Sequence, residues 1–194
     1  KYTFDISGGF TYSNIKFGGS PELLFSGGQF KSFSSYAFLI SAGLPIVKKF
    51  QRRNIVAELG IKNNNIVGAD SMQGGIGSSY LANINLKYSY IKGNLWYRHY
   101  FILLNNISAF ADLGFSVGRA FRKKGEVRNV TNGLIYTNYN NLNASDANFT
   151  IGAGVLMHKI LAMIRYEQGN LLTINSAISS NIKTIYIMAG LRIF

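Results

Sequence analysis

Apolar and polar residues alternate with a period of two in eight stretches of the chain. Successive side chains of a β-strand point to opposite faces, so this alternation predicts strands with one apolar and one polar face. The pattern is clearest in 107–117, where Leu113 and Phe115 share one face and Asp112 and Ser116 share the other. The predicted strands cover residues 2–12, 36–46, 55–62, 81–103, 107–117, 149–157, 162–167 and 182–194.

Composition indicates that the predicted strands lie in a membrane. Hydrophobic residues make up 47% of the 194 residues, and charged residues only 14%, against about 25% in an average soluble domain. No apolar run reaches the about 18 residues of a transmembrane helix. Apolar content spread through short alternating strands is typical of a transmembrane β-barrel. We therefore predict a single barrel domain over residues 1–194.

A soluble eight-stranded barrel that binds a ligand inside is the competing fold. It would turn the apolar face of each strand inward. The charged residues opposite that face, and the aromatic residues near its strand ends, favour the membrane form. The chain has no cysteine, which excludes disulfides and thiolate metal sites.

Residues 81–103 are ambiguous. Tyr88 and Tyr90 follow one phase of the alternation, Leu95 and Tyr97 follow the other, and the phase changes around Lys92-Gly93. Either a hairpin turns there or one long strand carries a bulge. A hairpin would give nine strands, whereas bacterial single-chain barrels have an even number. We therefore predict one bulged strand.

The predicted connections alternate in length. Short connections fall at about 47–53, 104–106 and 158–160. Long polar connections fall at about 18–32, 67–79, 120–147 and 170–181. Short periplasmic turns and long extracellular loops are the known asymmetry of outer-membrane barrels. Within the longest loop, Asn132-Gly133 predicts a small hairpin.

Three stretches carry a family resemblance. The segments 96–101 (WYRHYF) and 107–115 (ISAFADLGF) resemble a hairpin of small outer-membrane barrels of the Bacteroidota, and 182–194 resembles the closing strand of such barrels. The resemblance implies an eight-stranded, antiparallel up-and-down barrel of OmpA- or OmpX-like architecture without a soluble domain. It also implies a bacterial outer-membrane location and contact with the barrel-assembly machinery during biogenesis. The sequence shows no basic start followed by an apolar stretch at Lys1, so we expect that an export signal has already been removed. Phe194 would then be part of the assembly signal. It departs from the usual pattern, because it lies in the same phase of the strand as Arg192 and not with the apolar residues.

The polar faces of the predicted strands carry charges that would point into the barrel. An eight-stranded barrel has an interior just wide enough for its own side chains. Buried charges must pair, since an isolated one is very costly. We interpret the set as a salt-bridged plug, with a proton or ion path, or a catalytic carboxylate pair, as the open alternative. The predicted lumen charges are Asp5, Glu58, Lys62, Arg98, Asp112, Arg165 and Glu167.

Catalytic candidates are few. A nucleophile needs a base oriented by an acid, and the two histidines offer little. His99 is followed by Tyr100 and Phe101, without the His-x-Ser pairing of lipid-deacylating barrels, and His158 lies in a predicted turn. We interpret both as interfacial residues. The sequence predicts no catalytic residue, metal site or cofactor.

The net charge of +12 is the strongest remaining feature. Two basic groups lie at opposite ends of the predicted barrel. The outer group would meet lipopolysaccharide phosphates, and the inner group would meet phospholipid headgroups or an acidic periplasmic protein; we expect no nucleic-acid partner. The inner group is Lys48, Lys49, Arg52 and Arg53, and the outer group is Arg119, Arg122, Lys123, Lys124 and Arg128.

Three functions remain open. The first is a non-enzymatic structural or accessory barrel, or an interaction protein, within a larger outer-membrane complex. The second is a narrow channel or small-ligand barrel, which needs a continuous water path. The third is a lipid-modifying enzyme, which needs a cleft open to lipid and a nucleophile beside His99.

Overall fold

The computed structural model describes residues 2–19, 29–32, 35–47, 50–74, 78–104, 106–130, 135–138, 145–170 and 178–194. Within these ranges the chain forms β-strands joined by turns, and no helix is long and apolar enough to cross a membrane. The strands are β1 (Thr3–Gly19), β2 (Gln29–Ser32), β3 (Ser35–Val47), β4 (Phe50–Gly74), β5 (Ser78–Leu104), β6 (Ile107–Asn129), β7 (Ile135–Asn138), β8 (Ser145–Met157), β9 (Ile160–Asn170) and β10 (Ile178–Arg192).

Eight of these strands form a closed antiparallel barrel, as the alternation predicts. Neighbours along the chain pair in the order β1-β3-β4-β5-β6-β8-β9-β10. Pairing of β10 with β1, from Asp5 opposite Arg192 to Gly19 opposite Ile178, closes the ring. Closure leaves no free sheet edge along the paired length, which is what a strand structure needs in lipid.

The barrel has two distinct ends. Short connections at 48–49, 105–106 and 158–159 lie at one end, together with both chain termini. We call this the turn end and the opposite one the loop end. The left-handed backbone of Asn106 (φ 67°) and His158 (φ 55°) produces the tight reversal of two of the short turns.

All four predicted long loops are partly strand. Residues 67–79 lie almost entirely in β4 and β5, which pair out to Gly74 opposite Ser78. Residues 120–129 continue β6, and β7 pairs with it in antiparallel orientation. Asn132-Gly133, where a small hairpin is predicted, lies outside the described residues. The alternation in these stretches is too weak to predict strands, since they extend beyond the apolar belt. In the loops predicted at 18–32 and 170–181, residues 18–19, 29–32, 170 and 178–181 lie in strands, and the remaining residues lie outside the described ones.

The segment 81–103 belongs to a single strand, β5, so the predicted nine-strand alternative is excluded. The bulge predicted around Lys92-Gly93 is not found there, because both neighbours of β5 pair with these residues without a register shift. Tyr88 and Tyr90 lie buried on the inner face, and one alternation continues from them to Tyr100. The β5–β6 pairing has two irregularities. One lies in β6, because Ser89 pairs with Arg122 and Tyr90 with Ala120, which leaves Phe121 as an extra residue. The other lies in β5 beside the turn, where Ile102 pairs with Ser108 and Leu104 with Ile107, which leaves Leu103 as an extra residue. Because the buried residues Tyr88 and Tyr90 are aromatic, the inner face of β5 looks in the sequence like a face that contacts lipid.

The two faces of the barrel differ as a membrane requires. Phe10 (77% exposed), Phe115 (67%) and Ile187 (64%) are among the many apolar side chains of the outer wall. The inner face carries buried charged and polar groups. This is the inverse of a soluble ligand-binding barrel and gives the outer wall a continuous apolar surface for lipid.

Candidate functional site

The seven predicted lumen charges all lie on the inner face of the barrel. Each is at most 5% exposed, and each has an oppositely charged partner within 4.0 Å. Three further charged residues join them. We call the whole set the lumen network: Asp5, Glu58, Lys62, Lys92, Arg98, Asp112, Asp146, Arg165, Glu167 and Arg192.

The part nearest the turn end centres on two arginines. Arg98 donates to both carboxylate oxygens of Asp112, each at 2.7 Å. Arg192 donates to Asp5 at 2.7 and 3.0 Å and to the Tyr100 hydroxyl at 2.8 Å. Arg98 also lies 3.6 Å from Asp5, which connects the two pairs. Two-pronged arginine–carboxylate pairing fixes orientation as well as charge.

In the middle of the lumen, Arg165 donates to Glu58 at 2.6 and 2.9 Å. Asn94 donates a further bond to Glu58 at 2.5 Å. The guanidinium carbon of Arg165 lies 4.3 Å from the centre of the Trp96 ring, a favourable cation–π contact. Arg165 also lies 3.8 Å from Asp112, so the middle pair is continuous with the turn-end pairs.

Nearer the loop end, Lys92 is shared by two carboxylates. Its ammonium nitrogen lies 2.6 Å from Glu167 and 3.1 Å from Asp146. The Tyr186 hydroxyl donates to Glu167 at 2.5 Å. Lys62 donates to Thr184 at 2.9 Å and lies 4.0 Å from Glu167. Lysine therefore holds this part of the network, whereas arginine holds the rest.

The lumen network carries no net formal charge. It contains five carboxylates and five basic side chains. The +12 of the chain is consequently carried outside the network. Neutrality of a buried set avoids the cost of leaving any charge uncompensated.

Two glycines make room for the network. A Cβ atom at Gly152 would lie 2.9 Å from the Arg165 side chain, and one at Gly118 would collide with the Asp146 carboxylate. Both positions face inward from β6 and β8. A small residue at each position leaves room for the charged side chain directly opposite on the neighbouring strand.

An apolar cluster fills the lumen towards the turn end. It includes Leu39, Phe110, Leu161 and Met188, all nearly fully buried. The Phe110 ring also lies 4.1 Å from the guanidinium carbon of Arg98. Salt bridges and apolar packing therefore share the interior of the barrel.

The sequence did not reveal three members of the network. Lys92 stands at the wrongly predicted phase change, and Asp146 lies within a stretch predicted to be loop. Arg192 was associated only with Phe194. For Lys92 and Asp146 the missing signal is the phase of their own strand: Lys92 is two residues after Tyr90 in β5, and Asp146 is two before Asn148 in β8, both inward.

The histidines lie apart from the lumen. His99 is half-buried on the outer wall, with its ring centre 4.7 Å from that of Phe101. His158 is exposed in a turn. Among the described residues no group of three or more histidine or acidic side chains could hold a metal ion.

The predicted basic contacts lie on the exterior where the structure describes them. Arg52 and Arg53 are exposed near the turn end, and Arg119, Arg122, Lys124 and Arg128 are exposed near the loop end. Arg128 lies 3.6 Å from Glu126. Lys48 and Lys49 lie outside the described residues, as does the side chain of Lys123.

Phe194 lies beside the first strand. Its ring stacks on Phe4 with 5.7 Å between ring centres. The Phe4 amide donates to the Phe194 carbonyl at 3.0 Å. Phe194 follows the last residue of β10 and is 61% exposed, so it leaves the inward phase of Arg192.

No protein-family model and no curated protein matches the chain. Among solved structures it is similar to Ail, the attachment invasion locus protein of Yersinia pestis (14% identity, TM-score 0.42, 98% of this chain and 97% of that one). It is also similar to neisserial surface protein A (15%, 0.48, 97% and 95%) and to the outer membrane protein OprG from Pseudomonas aeruginosa (9%, 0.46, 98% and 95%). Similarity at this level concerns the course of the backbone and says nothing about function.

The location follows from the molecule itself. A closed eight-stranded antiparallel barrel with an apolar outer wall and a charged interior can satisfy every ladder hydrogen bond in lipid. Barrels of this kind are built into bacterial outer membranes. The chain is an outer-membrane β-barrel.

Proposed function

We propose that the protein is a non-enzymatic outer-membrane barrel with a closed lumen that acts as a structural or accessory subunit of a larger outer-membrane complex. The lumen network supports this proposal. Its ten charged side chains are paired across the interior, and an eight-stranded barrel has little further interior to offer. Contacts with other molecules would then be made by the loops and the outer wall.

The same geometry speaks against the two alternatives. A channel would require ions to pass buried pairs such as Arg98–Asp112, and breaking one such pair costs about 3–5 kcal/mol. A lipid-modifying enzyme would need a nucleophile beside its base, whereas His99 packs against Phe101.

The exterior charges suggest the partners. We propose that the basic residues near the loop end contact lipopolysaccharide phosphates and that Arg52 and Arg53 contact phospholipid headgroups or an acidic periplasmic protein. The Phe194 strand would be read by the barrel-assembly machinery. The resemblance to Bacteroidota barrels of OmpA- or OmpX-like architecture also stays a proposal.

The first test is purification of the native protein from its own membranes in mild detergent, with its mass measured in the detergent complex. We expect a stoichiometric assembly larger than the barrel alone. A matched preparation in which a harsher detergent dissociates the assembly serves as the control. A barrel that always purifies as a lone monomer would contradict the accessory role.

Conductance across a planar bilayer tests the closed lumen separately. We expect the reconstituted barrel to give no steady ion current, because the charged interior is occupied by paired side chains. A stable single-channel current at neutral pH would show a water path and support the channel alternative instead.

A further inference from the structure

A cleft of about 500 Å³ opens on the outer wall near the loop end. Three exposed basic side chains line it, Lys87 from β5 and Arg122 and Lys124 from β6. Three aromatic residues, Tyr36, Tyr88 and Phe121, also line it, together with Ile61 and polar residues of β4 and β5. Lys87 was not among the predicted basic contacts, so the cleft brings together residues that the sequence left separate.

The β6 bulge creates this arrangement. Ahead of the bulge, Val117 and Arg119 face outward at odd positions. After Phe121, the extra residue, the pairing of Ser89 with Arg122 and of Lys87 with Lys124 puts even positions outward. Without the extra residue, Arg122 and Lys124 would turn to the inner face. Bulges commonly re-aim side chains in this way.

None of the three cations forms an ion pair in the described part of the chain, although Glu126 lines a small cavity together with Lys87 and Lys124. Lys87 and Lys124 are directly opposite each other in the ladder, where Cβ atoms lie roughly 4.5–5.5 Å apart and like charges destabilise the pair. The nearby carboxylate, Glu126, is in ion-pair contact with Arg128 instead. Such a cluster is suited to an anion with several acceptor oxygens, as in a phosphate group.

An apolar groove of about 600 Å³ adjoins the cleft and shares Phe121 with it. Ile91, Gly93 and Val117 line the groove on the lipid-facing wall, with Arg119 at its side. A Cβ atom at Gly93 would meet nothing within 4 Å, so the groove is open over this residue. The cations lie beyond the outward apolar residues Ile61 and Ile91, at the depth where the apolar belt gives way to polar headgroups.

We propose that the cleft and the groove together form a site for one phosphorylated lipid of the outer leaflet. Its phosphate is held by Lys87, Arg122 and Lys124, and an acyl chain lies in the groove over Gly93. This inference rests on the proposed lipid contact of the basic loop-end residues and sharpens it from a patch to a single site. Continuity of the cation cluster with a lipid-facing groove favours a lipid over a free anion.

The test is native mass spectrometry of the full-length barrel in detergent, titrated with bisphosphorylated lipid A or with the same lipid after removal of its phosphates. We expect one retained molecule of the phosphorylated lipid and about tenfold weaker retention without phosphate. Lys87→Gln/Lys124→Gln should weaken retention about tenfold. Gly93→Leu fills the groove without a backbone clash, and it should weaken retention even though the cations remain.

Two control variants define what a failure means. Lys183→Gln removes an exposed cation of β10, and Arg128→Gln removes a loop-end cation outside the cleft; both should retain the lipid within about twofold. Equal retention of the dephosphorylated lipid, or full displacement by inorganic phosphate, would overturn the lipid site. Loss caused by Arg128→Gln but not by Lys87→Gln/Lys124→Gln would overturn this site and leave the general lipid contact standing. The accessory role is tested independently by purification from native membranes.

Discussion

The interior and the outer wall of this barrel treat charge in opposite ways. Inside, five basic and five acidic side chains neutralise one another at short range, as in the pairing of Arg165 with Glu58 at 2.6 Å. Outside, near the loop end, Lys87, Arg122 and Lys124 share one cleft, and the structure pairs none of them with a carboxylate among the described residues. The difference separates charges that serve the fold from charges available to a partner.

The environment explains why the two regions can differ. A fully buried lumen side chain such as Glu58 cannot reach bulk solvent, so an unpaired charge there would carry its full desolvation cost. A side chain at the headgroup level has water and lipid anions at hand and tolerates excess charge. Deletion of a charge should therefore be severe in the lumen and mild on the wall.

The largest effect is expected for removal of one lumen charge. Arg165→Met leaves Glu58 buried without its guanidinium partner, although the hydrogen bond from Asn94 remains. We expect the free energy of unfolding to fall by about 3–5 kcal/mol. Urea unfolding in detergent micelles, followed by tryptophan fluorescence, measures the loss.

Two control variants test whether the loss of stability is specific to the buried charge pair. Arg53→Met removes an exposed arginine of β4 and should change stability by less than about 0.5 kcal/mol. Glu58→Leu/Arg165→Met removes both partners and should restore much of the lost stability, because replacing a whole buried pair by apolar groups is often near neutral. Equal, small effects of Arg165→Met and Arg53→Met would refute the distinction between lumen and wall.

The next largest effect is expected when a methyl group is added to a glycine that faces the filled lumen. Gly152→Ala places a methyl group 2.9 Å from Arg165 in the lumen, and we expect a loss of about 1–3 kcal/mol from overpacking. Gly93→Ala is the matched substitution on the outer wall, where a Cβ meets nothing within 4 Å. It should be nearly neutral in the same urea experiment. If both alanines are tolerated, the lumen is less tightly filled than the network indicates.

The sequence predicts much of this division because alternation determines both faces at once. Positions such as Asp112 and Arg165 stand opposite clear apolar runs, so their inward phase can be predicted without coordinates. Which carboxylate each base contacts could not be predicted. That depends on the stagger of strands around a closed barrel, which brings Arg165 to Glu58 across 107 residues of chain.

The wrong predictions for β5 and β6 also share a physical source, which is that the sequence pattern misrepresents which side chains face the lumen. A lumen lined with aromatic residues looks apolar, so Tyr88 and Tyr90 gave the inner face of β5 the appearance of an outer one. The bulge at Phe121 then reverses the phase of β6 within a stretch predicted to be loop. An extra residue leaves no mark in composition, and the cleft that depends on it was accordingly missed.

The smallest effect is expected for salt, which should act differently on the stability of the lumen and on lipid binding at the outer wall. Raising ionic strength from about 0.1 to 1 M shortens the Debye length from about 10 to 3 Å. Because the lumen pairs are shielded from solvent ions, this change should alter the free energy of unfolding of the wild type by less than about 0.5 kcal/mol. The same change should weaken retention of phosphorylated lipid at the cleft severalfold, because those cations are exposed. Urea unfolding and a lipid titration at both salt concentrations measure the two responses. A large loss of barrel stability in salt would mean that ions reach the lumen network, and the closed interior would then have to be abandoned.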